Sequence, residues 1–308
     1  MTSRQAIADR TFRAALVGAT LLFVAIIVGL FVELVRGSWE SIVAFGPAFL
    51  WSSEWNPVTN HFGALPFIFG TVVSSAIAIV VAGVVGIAAA VFLAEFAPPR
   101  IARPISFFIE LLAAVPSVVF GLWGLFVLAP FLGSIVDPFL QRYFGFLPIF
   151  QGTIYGIGLL AAGLLLALMI VPTVAAIARD LIVAVPNELR EASMSLGATR
   201  WETATRVVLP AARAGIVGAC VLALGRALGE TIAVTMVIGN RPAISGSLFA
   251  PAYTLSSVIA NEFTEATSSI YLSALLELGL ILFLISIVVN GAARVMMWSM
   301  LKAQGRRP

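Results

Sequence analysis

Four ionisable side chains, Glu110, Arg226, Glu230 and Glu277, stand inside runs that are otherwise long and apolar enough to cross a bilayer. A charge near the bilayer centre costs about 2.5–3.5 kcal/mol on insertion scales, so it normally has a task or a partner. At ~1.5 Å per residue, Arg226 lies about 18 Å along a helix that starts near Ala214, close to mid-membrane. Glu230 follows four residues later, on the same face of a continuous helix, within pairing reach of Arg226. Two readings are open. The guanidinium attracts or passes an anion that Glu230 holds or gates, or the two side chains form an ion pair that fixes their helix. Glu277 falls nearer the outer face, either as a second partner for Arg226 or as a carboxylate facing a water-filled cavity. Glu110 begins its run and can sit at the headgroups.

Catalytic motifs are absent. The sequence holds no Gly-x-x-x-x-Gly-Lys-Ser/Thr, no His-Glu-x-x-His and no Gly-x-Ser-x-Gly, and its only lysine is Lys302. If ATP drives this protein, another subunit hydrolyses it. One Cys (Cys220) and one His (His61) exclude a Cys/His metal cluster and a disulfide within the chain. We therefore expect no catalytic residue, no metal site and no nucleic-acid partner.

The elements that must position these charges follow from composition. Of 308 residues, 60% are hydrophobic and 11% charged, against about 25% charged in soluble domains. The uncharged runs are far longer than the ~9–11 residues of a barrel strand. The expected fold is all-α and integral to the membrane, one domain with six spans near residues 14–35, 64–94, 104–132, 152–178, 214–238 and 269–298. Pro116 is expected to kink the third span, and Gly152 with Gly156 to open the fourth as a Gly-x-x-x-Gly packing face. Trp39, Trp51 and Trp55 suggest that the loop over 36–62 lies along the membrane. Fourteen of the eighteen Lys and Arg fall in the N-terminal tail, the turn at 95–103, the loop at 179–213 and the C-terminal end. By the positive-inside rule these segments, and both termini, are cytoplasmic.

One of those loops contains the longest polar run, with Glu191 to Pro210 reading EASMSLGATRWETATRVVLP. Pro186 and Asn187 offer a helix start and Gly197 a stop. Thr199 and Glu202 form a capping box that opens a second helix running towards Leu209-Pro210. Two short helices joined by a turn are expected.

The offsets of Glu191-Ala192-Ser193, Gly197 and Val207-Val208-Leu209-Pro210 resemble the EAA loop of bacterial ABC importer permeases, with Ser193 for the second Ala and Val207 for Ile. The resemblance implies a type I importer permease whose 179–213 loop docks on a cytoplasmic ATPase. Glu191, Ala192, Ser193, Gly197, Leu209 and Pro210 would be its coupling residues. Small Ala192 and Ser193 would allow close approach and Gly197 a sharp turn. The runs Gly225-Arg226-Ala227-Leu228-Gly229-Glu230-Thr231 through Gly239-Asn240, and Val115-Pro116-Ser117 through Leu122, are similar to the phosphate-specific permeases, PstC type. That resemblance implies a pathway for inorganic phosphate through Arg226, Glu230, Glu277, Ser117 and Thr231. It also implies a heterodimer with a PstA-like permease, a PstB-like ATPase dimer that carries ATP and Mg, and a PstS-like phosphate-binding protein. The setting would be a bacterial inner membrane and its lipid. Another oxyanion, molybdate or sulfate, is the alternative cargo. A passive anion channel or an intramembrane sensor are the other classes.

Overall fold

The computed structural model describes residues 3–303, and every regular element among them is a helix. Arg306 and Arg307 of the basic tail lie outside the described residues. In chain order the helices are α1 (Ser3–Gly37), α2 (Trp39–Phe45), α3 (Leu65–Phe96), α4 (Pro99–Ala113), α5 (Ser117–Phe144), α6 (Leu159–Val183), α7 (Asn187–Ser195), α8 (Arg200–Gly229), α9 (Ile232–Val237), α10 (Leu255–Glu262) and α11 (Ser269–Ala303). Six of them, α1, α3, α5, α6, α8 and α11, are long and apolar enough to cross a membrane.

The centre of the bundle is the parallel pair α3 and α6. Glycines let the two backbones approach. A Cβ at Gly163 would stand 2.7 Å from the Ile77 side chain, and one at Gly86 would stand 2.9 Å from Val174. Around this pair Leu165, Leu166, Met169 and Ile170 are buried together with Ala78, Ala82 and Val237. Helix α1 stays outside, with none of its span buried. It meets α11 near its end, where the Phe31 and Phe283 rings lie 5.7 Å apart. Lipid is as apolar as leucine, so a span needs no protein cover to be stable there.

The third span differs from the expected 104–132. Residues Pro99–Ala113 form a separate amphipathic helix, and the crossing helix is Ser117–Phe144. Pro116 does not kink a helix; it precedes one, in an extended conformation at φ −60°, ψ 142°. Proline has no N–H and disfavours helical geometry at the residue before it, so the end of one helix and the start of the next fall around it. Residues 133–144, which the expected spans leave as part of a connection, continue that helix.

The fourth span begins at Leu159, not at Gly152. Gly152 and Gly156 are not helical, with φ of +114° and +73°. They do serve close packing, but as a turn: a Cβ at Gly156 would stand 2.4 Å from the Ala129 carbonyl oxygen.

The fifth span is displaced as well. Its helix begins at Arg200, within the polar run, and ends at Gly229. The capping box forms as expected, with Thr199 N donating to Glu202 Oε2 (2.9 Å) and Glu202 N donating to Thr199 Oγ1 (3.2 Å). The helix it opens does not stop at Leu209-Pro210. A wide π-turn over Ala204–Val208 precedes Pro210, and a locally widened turn eases the clash of a proline ring with the carbonyl four residues back.

The loops at one end enclose an aromatic cluster. Phe49, Phe62, Phe67, Tyr253 and Tyr271 pack together there. Glu262 Oε2 accepts from Trp55 Nε1 (2.8 Å) and from the Tyr271 hydroxyl (2.6 Å). Burial pushes the Tyr253 phenol up to about 12, so it stays protonated, accepting from Asn261 Nδ2 at 2.9 Å. Of the three loop tryptophans, Trp39 and Trp51 are exposed, 62% and 75%, and Trp55 is drawn into this cluster.

Candidate functional site

Two regions carry the polar residues that the sequence singles out. The first is the break between α8 and α9. Arg226 is exposed in the last turn of α8. Glu230 has already left the helix, with φ −69° and ψ 126°. Its carboxylate is not turned to Arg226. Glu230 Oε1 accepts from Ala233 N (3.4 Å) at the start of α9, and its carbonyl accepts from Ser256 Oγ (2.8 Å). Among the described residues no carboxylate forms an ion pair with Arg226. The expected i, i+4 pair therefore does not form, because the helix on which it depended ends at Gly229.

Thr231 follows the break, its hydroxyl donating to Gly229 O (3.2 Å), and Thr235 Oγ1 in turn donates to Thr231 O (2.7 Å). Asn240 Nδ2 donates to Thr235 O (2.9 Å). Helix α9 packs on the start of α5: a Cβ at Gly121 would stand 3.0 Å from Ala233 Cα, and one at Gly124 would stand 3.0 Å from Val237. The two helices thus run in the same direction. Ser117, half-buried one turn before Gly121, lies on the side of the break. Arg226, Glu230, Thr231 and Ser117 share one level of the bundle.

Glu277 does not. Gly225 of α8 meets Asn290 of α11, whose Nδ2 would lie 4.0 Å from a Cβ there. Glu277 is thirteen residues before Asn290, about 20 Å along the helix at ~1.5 Å per residue. It cannot partner Arg226. Instead it is buried, 7% exposed, against the Ser41 side of α2, and its Oε2 has no hydrogen-bond partner among the described residues. Ser41 N donates to Ser273 Oγ (3.0 Å) beside it. Asn290 is the polar residue of α11 that reaches the level of Arg226, and sequence reasoning missed it. An asparagine breaking an apolar run was the available signal.

The second region is the α7–α8 elbow. Helix α7 runs over Asn187–Ser195 behind Pro186, and Gly197 takes φ +87°. Nothing lies within 4 Å of where a Gly197 Cβ would be, so this glycine serves backbone conformation and not close packing. Glu191, Ala192 and Gly197 are exposed at the tip. So are Met194 (44%) and Leu196 (91%), apolar residues on an otherwise polar loop. Ser193 is small, and it also bonds: its Oγ lies 3.0 Å from Thr203 Oγ1, tying α7 to α8. Leu209 and Pro210 sit apart from the tip, in the wall where the π-turn joins the span.

Sequence reasoning missed Arg190. Its guanidinium donates to Glu95 at the end of α3, with Nη2 to Oε1 at 2.8 Å and Nε to Oε1 at 3.1 Å. It also donates to Ile182 O (2.8 Å), to Val185 O and to Asn187 Oδ1 (3.2 Å). The signal was a lone carboxylate at the end of an apolar run and an arginine just before the polar run, with nothing local to pair them. Nearby, Arg179 bridges Glu110 (3.2 Å) and Asp180 (2.8 Å), and Phe96 meets Trp201, rings 6.0 Å apart.

Residues 82–297 match the family described as binding-protein-dependent transport system inner membrane component. The chain is 49% identical to the phosphate transport system permease protein PstC of Mesorhizobium japonicum over 96% of this chain and 91% of that one. It is 47% identical to the PstC of Pasteurella multocida over 89% and 87%. Among solved structures it superposes on a chain of a bacterial alginate ABC transporter with a TM-score of 0.64, 17% identity and coverage of 95% and 96%.

Proposed function

The chain belongs to the family of binding-protein-dependent transport system inner membrane components, and within it to the PstC-type permeases, and from that membership we propose that it forms half of an ATP-driven import pathway for inorganic phosphate. It is a multi-pass membrane protein and a transporter subunit. The observation that carries the substrate is the exposed Arg226, without a carboxylate partner among the described residues, at the break between α8 and α9, in a chain 49% identical to a phosphate permease. A buried ion pair would be neutral. A guanidinium without a carboxylate partner keeps its charge for a tetrahedral oxyanion, and its planar fork suits bidentate contact.

A phosphate dianion loses much hydration on entering a membrane, so cationic and hydroxyl donors must replace it. Arg226 and Ser117 supply such donors at one level, Thr231 would join them once its hydroxyl turns from Gly229 O, and Glu230 sits beside them as the gate. Its own carboxylate, engaged with the α9 amide, keeps negative charge from the guanidinium. Glu277 stands outside this level, and its place on the pathway would be nearer the outer entrance.

The assembly that fits is a heterodimer with a PstA-like permease, two PstB-like ATPase subunits and a PstS-like binding protein, in a bacterial inner membrane with both termini cytoplasmic. ATP and its Mg are bound by the ATPase, since this chain has no phosphate-binding loop. The α7 tip, with Glu191, Ala192, Ser193 and Gly197, docks on that ATPase. Closure of the ATPase dimer moves the tip, and the α8 wall at Leu209-Pro210 carries the motion into the span.

The test is uptake of labelled phosphate into proteoliposomes holding this chain with those three partners, with molybdate and sulfate as competitors. ATP-dependent uptake that resists both competitors and fails in Glu191→Lys is the expected outcome. Uptake without ATP would make the protein a passive channel. Competition by molybdate or sulfate would keep the importer and change its cargo.

A further inference from the structure

We infer that the Arg190–Glu95 pair is the joint that carries movement of the coupling helix α7 into the centre of the bundle, an inference that rests on the coupling role of α7 proposed above. Helix α7 has no buried residue, so packing alone does not hold it to the spans. Arg190 does. Its side chain and that of Glu95 are only 14% and 13% exposed. The donor hydrogens of the guanidinium meet acceptors on three elements and the connection between two of them: Glu95 at the end of α3, Ile182 in the last turn of α6, Val185 just beyond it, and Asn187 at the start of α7. Helices α3 and α6 are the close-packed pair at the core of the molecule. One side chain of the coupling helix therefore grips both central spans at their ends.

The chemistry explains why arginine is needed. The last carbonyls of a helix have no intrahelical donor, and a cation near them also meets the negative end of the helix dipole. Arg190 donates to one of those carbonyls, Ile182 O, and to Val185 O just beyond the helix, while its other edge holds the Glu95 carboxylate. Lysine has three donors from one nitrogen and cannot span the two sites in a plane. The Glu95 end of α3 also touches the second arm of the elbow, since Phe96 abuts Trp201 of α8. It is wound as a π-turn over Phe92–Phe96, a geometry found often at functional sites. A push on α7 thus reaches α3 and α6 through Arg190. Without the pair, α7 keeps its chain connections, the Arg190 bonds to the end of α6 and the Ser193–Thr203 contact, but loses its bond to α3.

The test uses the full complex with Glu95→Gln, Arg190→Lys and the charge-preserving Glu95→Asp. Two quantities are read: substrate moved per ATP hydrolysed, and the distance between spin labels at Ala88 of α3 and Ser195 of α7, in a Cys220→Ala background. The expected result for Glu95→Gln and Arg190→Lys is an assembled complex that hydrolyses ATP but moves at least about tenfold less substrate per ATP. Glu95→Asp should recover more than half of the coupling. The label distance should stay fixed through the nucleotide cycle in the parent and broaden in Glu95→Gln. Uncoupling without any change in label distance, a parent distance that itself changes with nucleotide, or wild-type coupling in Glu95→Gln would overturn the joint. So would loss of assembly in both Glu95 variants, which assigns the pair a purely structural role. The label readout needs no cargo, so a parent complex that fails to import phosphate overturns the proposed substrate while the joint is still decided.

Discussion

Arg226 and Glu230 are four residues apart, and the structure turns their side chains to different tasks. The guanidinium is exposed at the end of α8, and the carboxylate accepts from Ala233 N in the first turn of α9. Removing one should not release the other. We expect Arg226→Ala to lower phosphate uptake at least about tenfold and Glu230→Gln to lower it less, with the double variant showing the product of the two effects. An interaction energy above about 0.5 kcal/mol in that cycle would mean that they act as a pair. The sequence could suggest the pair because i, i+4 side chains meet on any continuous helix. It could not show the break, because the group that holds Glu230 open is Ser256, 26 residues further on. Arg190 was illegible for a related reason, with its carboxylate partner 95 residues away. The elbow residues were legible because their signals are local. The capping box needs only Thr199 and Glu202, and the turn needs only a glycine at Gly197.

Elements show the same division between local and distant causes. Six apolar runs announce six spans, since length and lack of charge are properties of the run itself. Their ends are set elsewhere: by Pro116, which separates α4 from α5, and by the turn at 152–158 that packs on Ala129. The α3–α6 contact gives the sharpest element-level prediction. Gly86 and Gly83 lie three residues apart on α3. A Cβ at Gly86 would stand 2.9 Å from Val174 Cβ, and nothing lies within 4 Å of one at Gly83. Gly86→Ala must push α3 and α6 apart, because the obstructing atom is a Cβ and not the end of a flexible side chain. Overpacking of this kind costs about 1–3 kcal/mol. Gly83→Ala meets open space and should gain up to about 1 kcal/mol of helix propensity. Thermal unfolding of the purified chain in detergent should therefore fall for the first variant and hold or rise for the second. Equal behaviour would mean that the two helices do not touch through Gly86.

Charge is distributed over the molecule end by end. In the sequence, residues 95–103, residues 179–213 and the two terminal segments hold fourteen of eighteen Lys and Arg, and the connections on the opposite side hold Glu40, Glu54, Glu262 and Glu265. That asymmetry predicts which end faces the cytoplasm, because basic loops are retained there during insertion. The proposed coupling role requires the same answer, since the α7 elbow could reach an ATPase only from the side that holds ATP. Two exposed positions report on it. Val58, 91% exposed, lies at the tip of the turn closed by the Asn56–His61 bridge, at the acidic end. Ser195 lies exposed at the end of α7, at the basic end. In a Cys220→Ala background, a membrane-impermeant maleimide applied to spheroplasts should label Val58→Cys at once and Ser195→Cys only after the membrane is opened. The reverse pattern would put the coupling elbow outside the cell and end the importer reading, whatever the resemblance. Equal labelling of both before permeabilisation would show that the chain is not uniformly inserted. The two cysteines are read in the same cells with the same reagent, so the comparison tests orientation and not reactivity, since both are exposed and neither touches the Arg226 level or the Arg190 joint.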